Sequence, residues 1–254
     1  MDLGLKNKTA FVAASSEGLG LSVALALASE GAQVIICARN MEGLQEAKQQ
    51  IDGLGPKQCS AFVCDLSNIA SLRSTCQAVL KEFKKIDILV TNTGGPPSGS
   101  FEDFDLLDFQ KAYDQLFASA LFLIQQFLPG MKKQGFGRVI SITSIAAKQP
   151  VKGLILSNSI RSGIAGLMKS LANEYGKYQI TFNNVMPGYT KTKRLAQLID
   201  TNPDFLEKTK DIPLKRFAEP EEFAAVVTFL ASEKASYLTG SSLAIDGGCT
   251  QTIF

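Results

Sequence analysis

Residues Ala13-Ala14-Ser15-Ser16-Glu17-Gly18-Leu19-Gly20 form a glycine-bearing turn that follows an apolar run and opens into an Ala- and Leu-rich helical pattern. Glycines at such a turn let main chain approach a pyrophosphate, and a helix N-terminus adds unpaired N–H groups and a positive dipole end. Ser15, Ser16, Gly18, Leu19 and Gly20 are therefore candidate dinucleotide contacts, against the plainer reading of a tight turn. The second apolar run ends Cys37-Ala38-Arg39-Asn40. A dinucleotide site commonly has an acidic residue there for the ribose hydroxyls; Arg39 after Ala38 instead suits a 2′-phosphate. NADP is favoured over NAD on that ground, with a solvated loop arginine as the alternative. Glu17 argues the other way, because a carboxylate beside the turn repels phosphate. Further along, Ser157 and Arg161 stand four apart in a helical pattern and so project from one face. Neither is an obvious proton donor near neutrality.

These groups are positioned by apolar strands alternating with helices from end to end. The pattern predicts strands at Thr9-Ala14, Gln33-Ala38, Cys59-Cys64, Ile86-Thr91, Gly137-Thr143, Ile180-Val185 and Ser241-Ile245. Helical patterns lie between them, including a long one from Asp105 to Met131, broken only near Pro129, and another over Leu154-Tyr175. Near-continuous apolar strands with intervening helices indicate a parallel sheet covered on both faces. The expectation is a single-domain, doubly wound (Rossmann) α/β fold of about seven strands spanning residues 1–254, with ligands at the carboxyl ends of the strands. Residues Thr190-Arg216 are the one long non-strand insertion and read as a substrate lid.

Composition narrows the function. The chain has 254 residues, 45% hydrophobic, with 26 basic against 24 acidic side chains, so it lacks the basic field that nucleic acid or a membrane surface would call for. It has no histidine, which excludes Ser-His-Asp and Cys-His catalysis and His-ligated metals. The five scattered cysteines and the absence of a signal-like apolar core at the start imply a cytoplasmic, reducing setting with thiols buried as small hydrophobes, and no metal site. The Leu- and Phe-rich segment Phe117-Phe127 and the pattern at Leu154-Leu171 carry more apolar surface than one sheet face needs, which predicts a homo-oligomer, a tetramer or dimer.

Taken in order, these motifs resemble the short-chain dehydrogenase/reductase family over essentially the whole chain. Residues 13 to 20 match its T-G-x-x-x-G-x-G turn with Ala13 and Ala14 in the first two places. Cys64-Asp65-Leu66 falls where the family contacts adenine, and Thr91-Asn92-Thr93-Gly94 matches its N-N-A-G with the first Asn lost. Asn184-Val185-Met186-Pro187-Gly188, with Thr190 and Thr192, is similar to its N-x-x-x-P-G-x-x-x-T, which packs beside the nicotinamide. Glu219-Pro220-Glu221-Glu222, Leu238-Thr239-Gly240 and Asp246-Gly247-Gly248 match its tail. The resemblance thus implies that Asp65, Leu66, Asn92, Gly94, Pro187, Gly188, Thr190 and Thr192 join Arg39, Asn40 and the turn in cofactor binding. Among family members the 3-oxoacyl-carrier-protein reductases are the nearest general likeness.

The family's Asn, Ser, Tyr and Lys tetrad maps onto Leu116, Ser144, Ser157 and Arg161. Tyr there passes a proton to the carbonyl oxygen, while Lys lowers the Tyr pKa and holds the nicotinamide ribose. A Ser hydroxyl is a far weaker acid, and Arg, with a pKa of roughly 12.5 or more, is a poor proton source. Loss of general acid assistance costs on the order of 10²–10⁴ in rate. Three rescues are open: Ser144 and Ser157 hold an oxyanion with Arg161 behind them, Tyr189 enters as the acid, or Lys148 or Lys152 does. The resulting expectation is an NAD(P)-dependent oxidoreductase of a small carbonyl or hydroxyl compound with an altered proton donor. The alternative is a catalytically silent dinucleotide-binding protein.

Overall fold

The computed structural model describes residues 1–55 and 59–253. Seven parallel strands form one sheet: β1 (Thr9–Val12), β2 (Gln33–Ala38), β3 (Cys59–Val63), β4 (Ile88–Thr91), β5 (Gly137–Ile142), β6 (Ile180–Pro187) and β7 (Ser242–Ile245). Their order is β3-β2-β1-β4-β5-β6-β7, so the direction of winding reverses between β1 and β4. Such a reversal leaves a crevice at the carboxyl ends, the expected ligand edge.

Helices cover both faces. Along β1, Ala10 and Val12 pack into one core with Val34 and Ile36 of β2, and with Val23, Leu27, Phe223 and Val227. Phe11 and Ala13 face the other core with Ile35, Leu89, Phe127, Met131 and Phe182. This period of two is what a strand buried on both faces requires. The first core rests on α1 (Gly18–Ser29), α2 (Met41–Asp52) and α8 (Pro220–Ala231), and the second on α3 (Ile69–Phe83), α5 (Ser119–Gln134) and α6 (Ile155–Tyr175). Four cysteines are buried and all five are free.

The long helical pattern differs from expectation in where it is interrupted. It consists of α4 (Leu106–Tyr113), a π-helical turn over Asp114–Ala118, and α5, which passes through Pro129 and ends at Gln134. Pro129 and Gln125, the residue whose carbonyl it deprives of a partner, are both exposed, so that carbonyl is left to water and the helix need not break. The π turn instead centres on Leu116, which is buried. The first strand is shorter than its apolar run because Ala14 turns to φ +46°, and the sixth runs on to Pro187. Residues 190–216, the segment expected to form a lid, contain α7 (Lys193–Thr201) and a 3-10 stretch, Pro203–Asp211. Tyr189, Leu195, Ile199, Phe205, Ile212, Phe217 and Cys249 give it a small core of its own. No helix among the described residues is long and apolar enough to cross a membrane.

Candidate active site

The turn after β1 leads its chain into α1 with donors uncommitted. The first intrahelical bond of α1 runs from the Leu21 N–H to the Glu17 carbonyl. The amides of Gly18, Leu19 and Gly20 precede it and have no protein acceptor among the described residues, as a helix N-terminus dictates. Gly18 sits at φ +59°, and a Cβ on Gly20 would lie 2.3 Å from the Ala14 carbonyl oxygen and 2.9 Å from Asn92 Nδ2. Asn92 itself donates from Nδ2 to Ala14 O at 3.1 Å, tying the end of β4 to the turn. Ser15 is committed inward: its hydroxyl donates to Val12 O and accepts from the Cys37 N–H, and its own amide goes to Cys37 O. Ser16 is half-buried and packs near Gly43 of α2.

At the end of β2, Arg39 is exposed and Asn40 caps α2 by accepting from the Glu42 N–H. Across from them Asp65 accepts from both the hydroxyl and the N–H of Ser67. The Ser67 hydroxyl above all, with Arg39 adding a smaller effect, holds its carboxyl below the usual range. Leu66 is buried in the adjoining core. Gly94, after β4, gives its carbonyl to Gln115 of the π turn at 2.9 Å.

Glu17 does not cap α1; its carboxylate lies 3.4 Å from Lys193 Nζ at the start of α7. The repulsion expected of it is thus offset by a lid lysine. Thr192, which caps α7, brings its Cγ2 to 3.6 Å from where a Gly18 Cβ would stand. The lid therefore begins directly against the turn. Behind it, Gly188 packs so closely on Asp246 that a Cβ would meet its Cα at 2.7 Å. Thr190 is buried, bonds back to Gly188 O, and pairs with Ala218 in a short bridge that anchors the lid's base.

β5 and α6 carry three of the four candidate catalytic groups, Ser144, Ser157 and Arg161, at the carboxyl end of the sheet. Ser144 is extended and caps a short 3-10 turn, accepting from the Ala146 N–H at 3.1 Å. Arg161, only 7% exposed, donates from Nη1 to Thr143 O at 2.8 Å and Ile142 O at 3.3 Å. Ser157 is one turn earlier on α6, buried, with no protein partner for its hydroxyl among the described residues. The fully buried side-chain atoms without partners belong to Gln134, Thr181, Thr228 and Thr250, so the Ser157 oxygen still touches open space. Asn158 accepts from the Val151 N–H and donates to Val151 O, pinning the intervening loop to α6. Burial first, and then the neighbouring Arg194, pushes the Arg161 guanidinium down to about 10.

Tyr189 lies elsewhere. Its ring meets Phe205 edge-on at 5.4 Å and Phe217 at 6.0 Å, inside the lid core. Burial above all, then Cys249 and Asp211, raises its phenol. Lys148 is half-buried and Lys152 exposed on the loop before α6. Leu116, the position expected for the family's Asn, is a buried side chain on the π turn. The sequence reading passed over Arg194, whose guanidinium occupies the space beside Gly95; the paired glycines Gly94-Gly95 were the available sign.

The family model described as enoyl-(acyl carrier protein) reductase matches residues 13–250. The chain belongs to the short-chain dehydrogenase/reductase family. Among short-chain dehydrogenase/reductase relatives, a 3-oxoacyl-(acyl-carrier-protein) reductase of Buchnera aphidicola is 32% identical over 246 residues, covering 97% of this chain and 98% of the relative. Dehydrogenase/reductase SDR family member 4 of Homo sapiens is 32% identical over 246 residues, covering 96% and 88%. The L-sorbose reductase of Gluconobacter frateurii, solved with NADPH and L-sorbose, superposes with a TM-score of 0.94 at 31% identity and full coverage of both chains.

Proposed function

We propose that this short-chain dehydrogenase/reductase is an NADPH-dependent oxidoreductase of a carbonyl or hydroxyl compound, 3-oxoacyl-like in class, that works without a phenolic acid. One observation carries the reading: Gly20 leaves room where a Cβ would strike main chain, under α1 amides that have no protein partner. That cradle fits a dinucleotide diphosphate, and it leads to an edge where Arg161 and Ser157 keep polar atoms open.

Gly18, Leu19 and Gly20 would hold the diphosphate, Asp65 and Leu66 the adenine end, and Asn92, Gly94, Pro187, Gly188, Thr190 and Thr192 the nicotinamide side. Arg39, exposed beside Ala38, would take a 2′-phosphate, which supports NADP over NAD; the NADPH complex of the sorbose reductase supports the same choice. When bound, NADPH supplies a hydride to the carbonyl carbon. Ser144 and Ser157 donate to the carbonyl oxygen, and Arg161 stabilises the negative charge that develops on it. Arg161 also orders the end of β5 through its two carbonyl contacts. Water admitted beside Ser157 completes proton delivery. Tyr189, held in the lid core, serves better as a packing ring than as the acid.

NADPH binding followed by fluorescence, and then its oxidation against a panel of ketones, 3-oxo esters and enoyl thioesters, tests the reading. Turnover should survive Tyr189→Phe and fall by at least about tenfold in Arg161→Met. Tight NADPH binding without turnover on any compound would instead establish a binding-only role.

A further inference from the structure

Three basic residues stand at the start of α7, and they are not equivalent. Lys191 pairs with Glu219 and Lys193 with Glu17. Arg194 has no carboxylate partner among the described residues. It is exposed and reaches the loop after β4: a Cβ on Gly95 would stand 1.9 Å from Nη1 and 2.5 Å from Cζ. Its one protein acceptor among the described residues is Pro96 O, at a long 3.4 Å from Nη2. Glycine at 95 thus makes room for a guanidinium that the protein itself scarcely bonds.

Arg161 faces the same region and is equally short of anions. It is more than nine-tenths buried, and only Nη1 has protein acceptors, both of them carbonyls. Its Nε and Nη2 have no protein partner among the described residues, and neither is sealed from open space. Arg194 lies against the loop after β4 and Arg161 against the end of β5, and these strands are neighbours in the sheet, so both cations stand at the same carboxyl-end cleft; Arg194 accordingly lowers the proton affinity of Arg161. An uncompensated buried guanidinium such as Arg161 is costly unless an anion joins it, while the exposed Arg194 offers uncommitted donors to the same anion. The diphosphate has its own cradle at Gly18–Gly20, reached by Thr192 rather than by Arg194. The anion that suits Arg194 is planar and bidentate, and it arrives with the other ligand.

We propose that the substrate carries a carboxylate beside its reacting carbonyl, and that Arg194, backed by Arg161 and admitted by Gly95, is the residue that selects it. The proposal rests on the oxidoreductase reading above and names its substrate as a small oxo or hydroxy acid. Lid and substrate then bind as one step, because α7 supplies the counter-charge.

The test compares acetoacetate with methyl acetoacetate, and 2-oxobutyrate with its methyl ester, in NADPH oxidation by the full chain. The acids should be favoured by at least about tenfold in kcat/KM. Arg194→Met should raise KM for the acids by about tenfold to hundredfold and bring the acid-to-ester ratio towards one, with Arg194→Lys between; the NADPH Kd should stay within about twofold. A raised NADPH Kd with acid and ester affected alike would overturn the proposal and make Arg194 a diphosphate clamp. If no compound is turned over, the oxidoreductase reading fails separately. Calorimetry of malonate binding to the NADP-loaded chain then decides: binding that is lost in Arg194→Met supports the carboxylate site, and no binding refutes it.

Discussion

Ala14 holds a left-handed conformation, φ +46°, at the head of the cofactor turn. A Cβ in that region costs roughly 1–2 kcal/mol. Ala14→Gly should therefore raise the midpoint of chemical denaturation by an equivalent of about 1 kcal/mol while leaving the NADPH Kd within a few-fold. The opposite change at Gly20 forces a clash with Ala14 O and Asn92, and Gly20→Ala should weaken NADPH binding by more than about tenfold. Arg39→Ala should weaken NADPH far more than NADH, measured as a ratio of Kd values; equal loss of both would show that no 2′-phosphate is read there. Much of this was legible in the residues themselves. The turn's glycines and Arg39 raised the expectation of a cofactor cradle, and the Ser157/Arg161 pair that of an altered proton donor. The inward commitment of Ser15 was not legible, because it depends on β2 lying beside the turn.

At the scale of elements, the lid is clasped at both ends by charge. Lys193 meets Glu17 at its start, and Arg216 forks onto Glu222 at 2.6 and 2.7 Å at its end. Arg216 first, and the Glu219 N–H next, pull the Glu222 carboxyl down to about 2 from an ordinary value of 4.5. A lowered carboxylate pKa contributes stability that is complete above about 4.5 and lost as pH falls through about 2. The thermal midpoint should thus fall less steeply over that acid interval in Glu222→Gln than in the parent chain. A second expectation concerns α7: NADPH should slow tryptic cleavage at Lys193 and Arg194, since Thr192 and Lys193 rest on the cofactor turn. Unchanged cleavage would mean that lid and cofactor are independent. The long helix shows where sequence reading stops at this scale. Pro129 looked like the break, yet the interruption falls at Asp114–Ala118, where Gln115 turns to Gly94 and Leu116 packs inward. π turns often mark functional positions, and nothing in local propensity encodes this one.

For the whole molecule, the apolar surplus expected over residues 117–127 and 154–171 leaves no large apolar side chain exposed among the described residues, whereas Leu106 and Leu107 at the start of α4 and Phe101 just before it are exposed, and Tyr113 stacks on Phe117 at 5.3 Å. Light scattering after gel filtration should give a multiple of 27.3 kDa; the monomer mass would refute the oligomer expectation. The sequence alone determined the alternation of strands and helices, the parallel sheet and the family, because buried strands and phosphate turns need specific residue types at fixed local spacing. It also placed Ser157 and Arg161 four apart on one helix, where the family resemblance leads one to expect Tyr and Lys. Only the tertiary structure decided what surrounds that pair. Arg161 is buried against two carbonyls, Tyr189 belongs to the lid core, and Arg194 reaches Gly95. The Arg194 contact joins residues 98 positions apart and the Arg161 contacts join α6 to the end of β5, so which charges remain unpaired is fixed by how the elements pack, not by any segment read on its own.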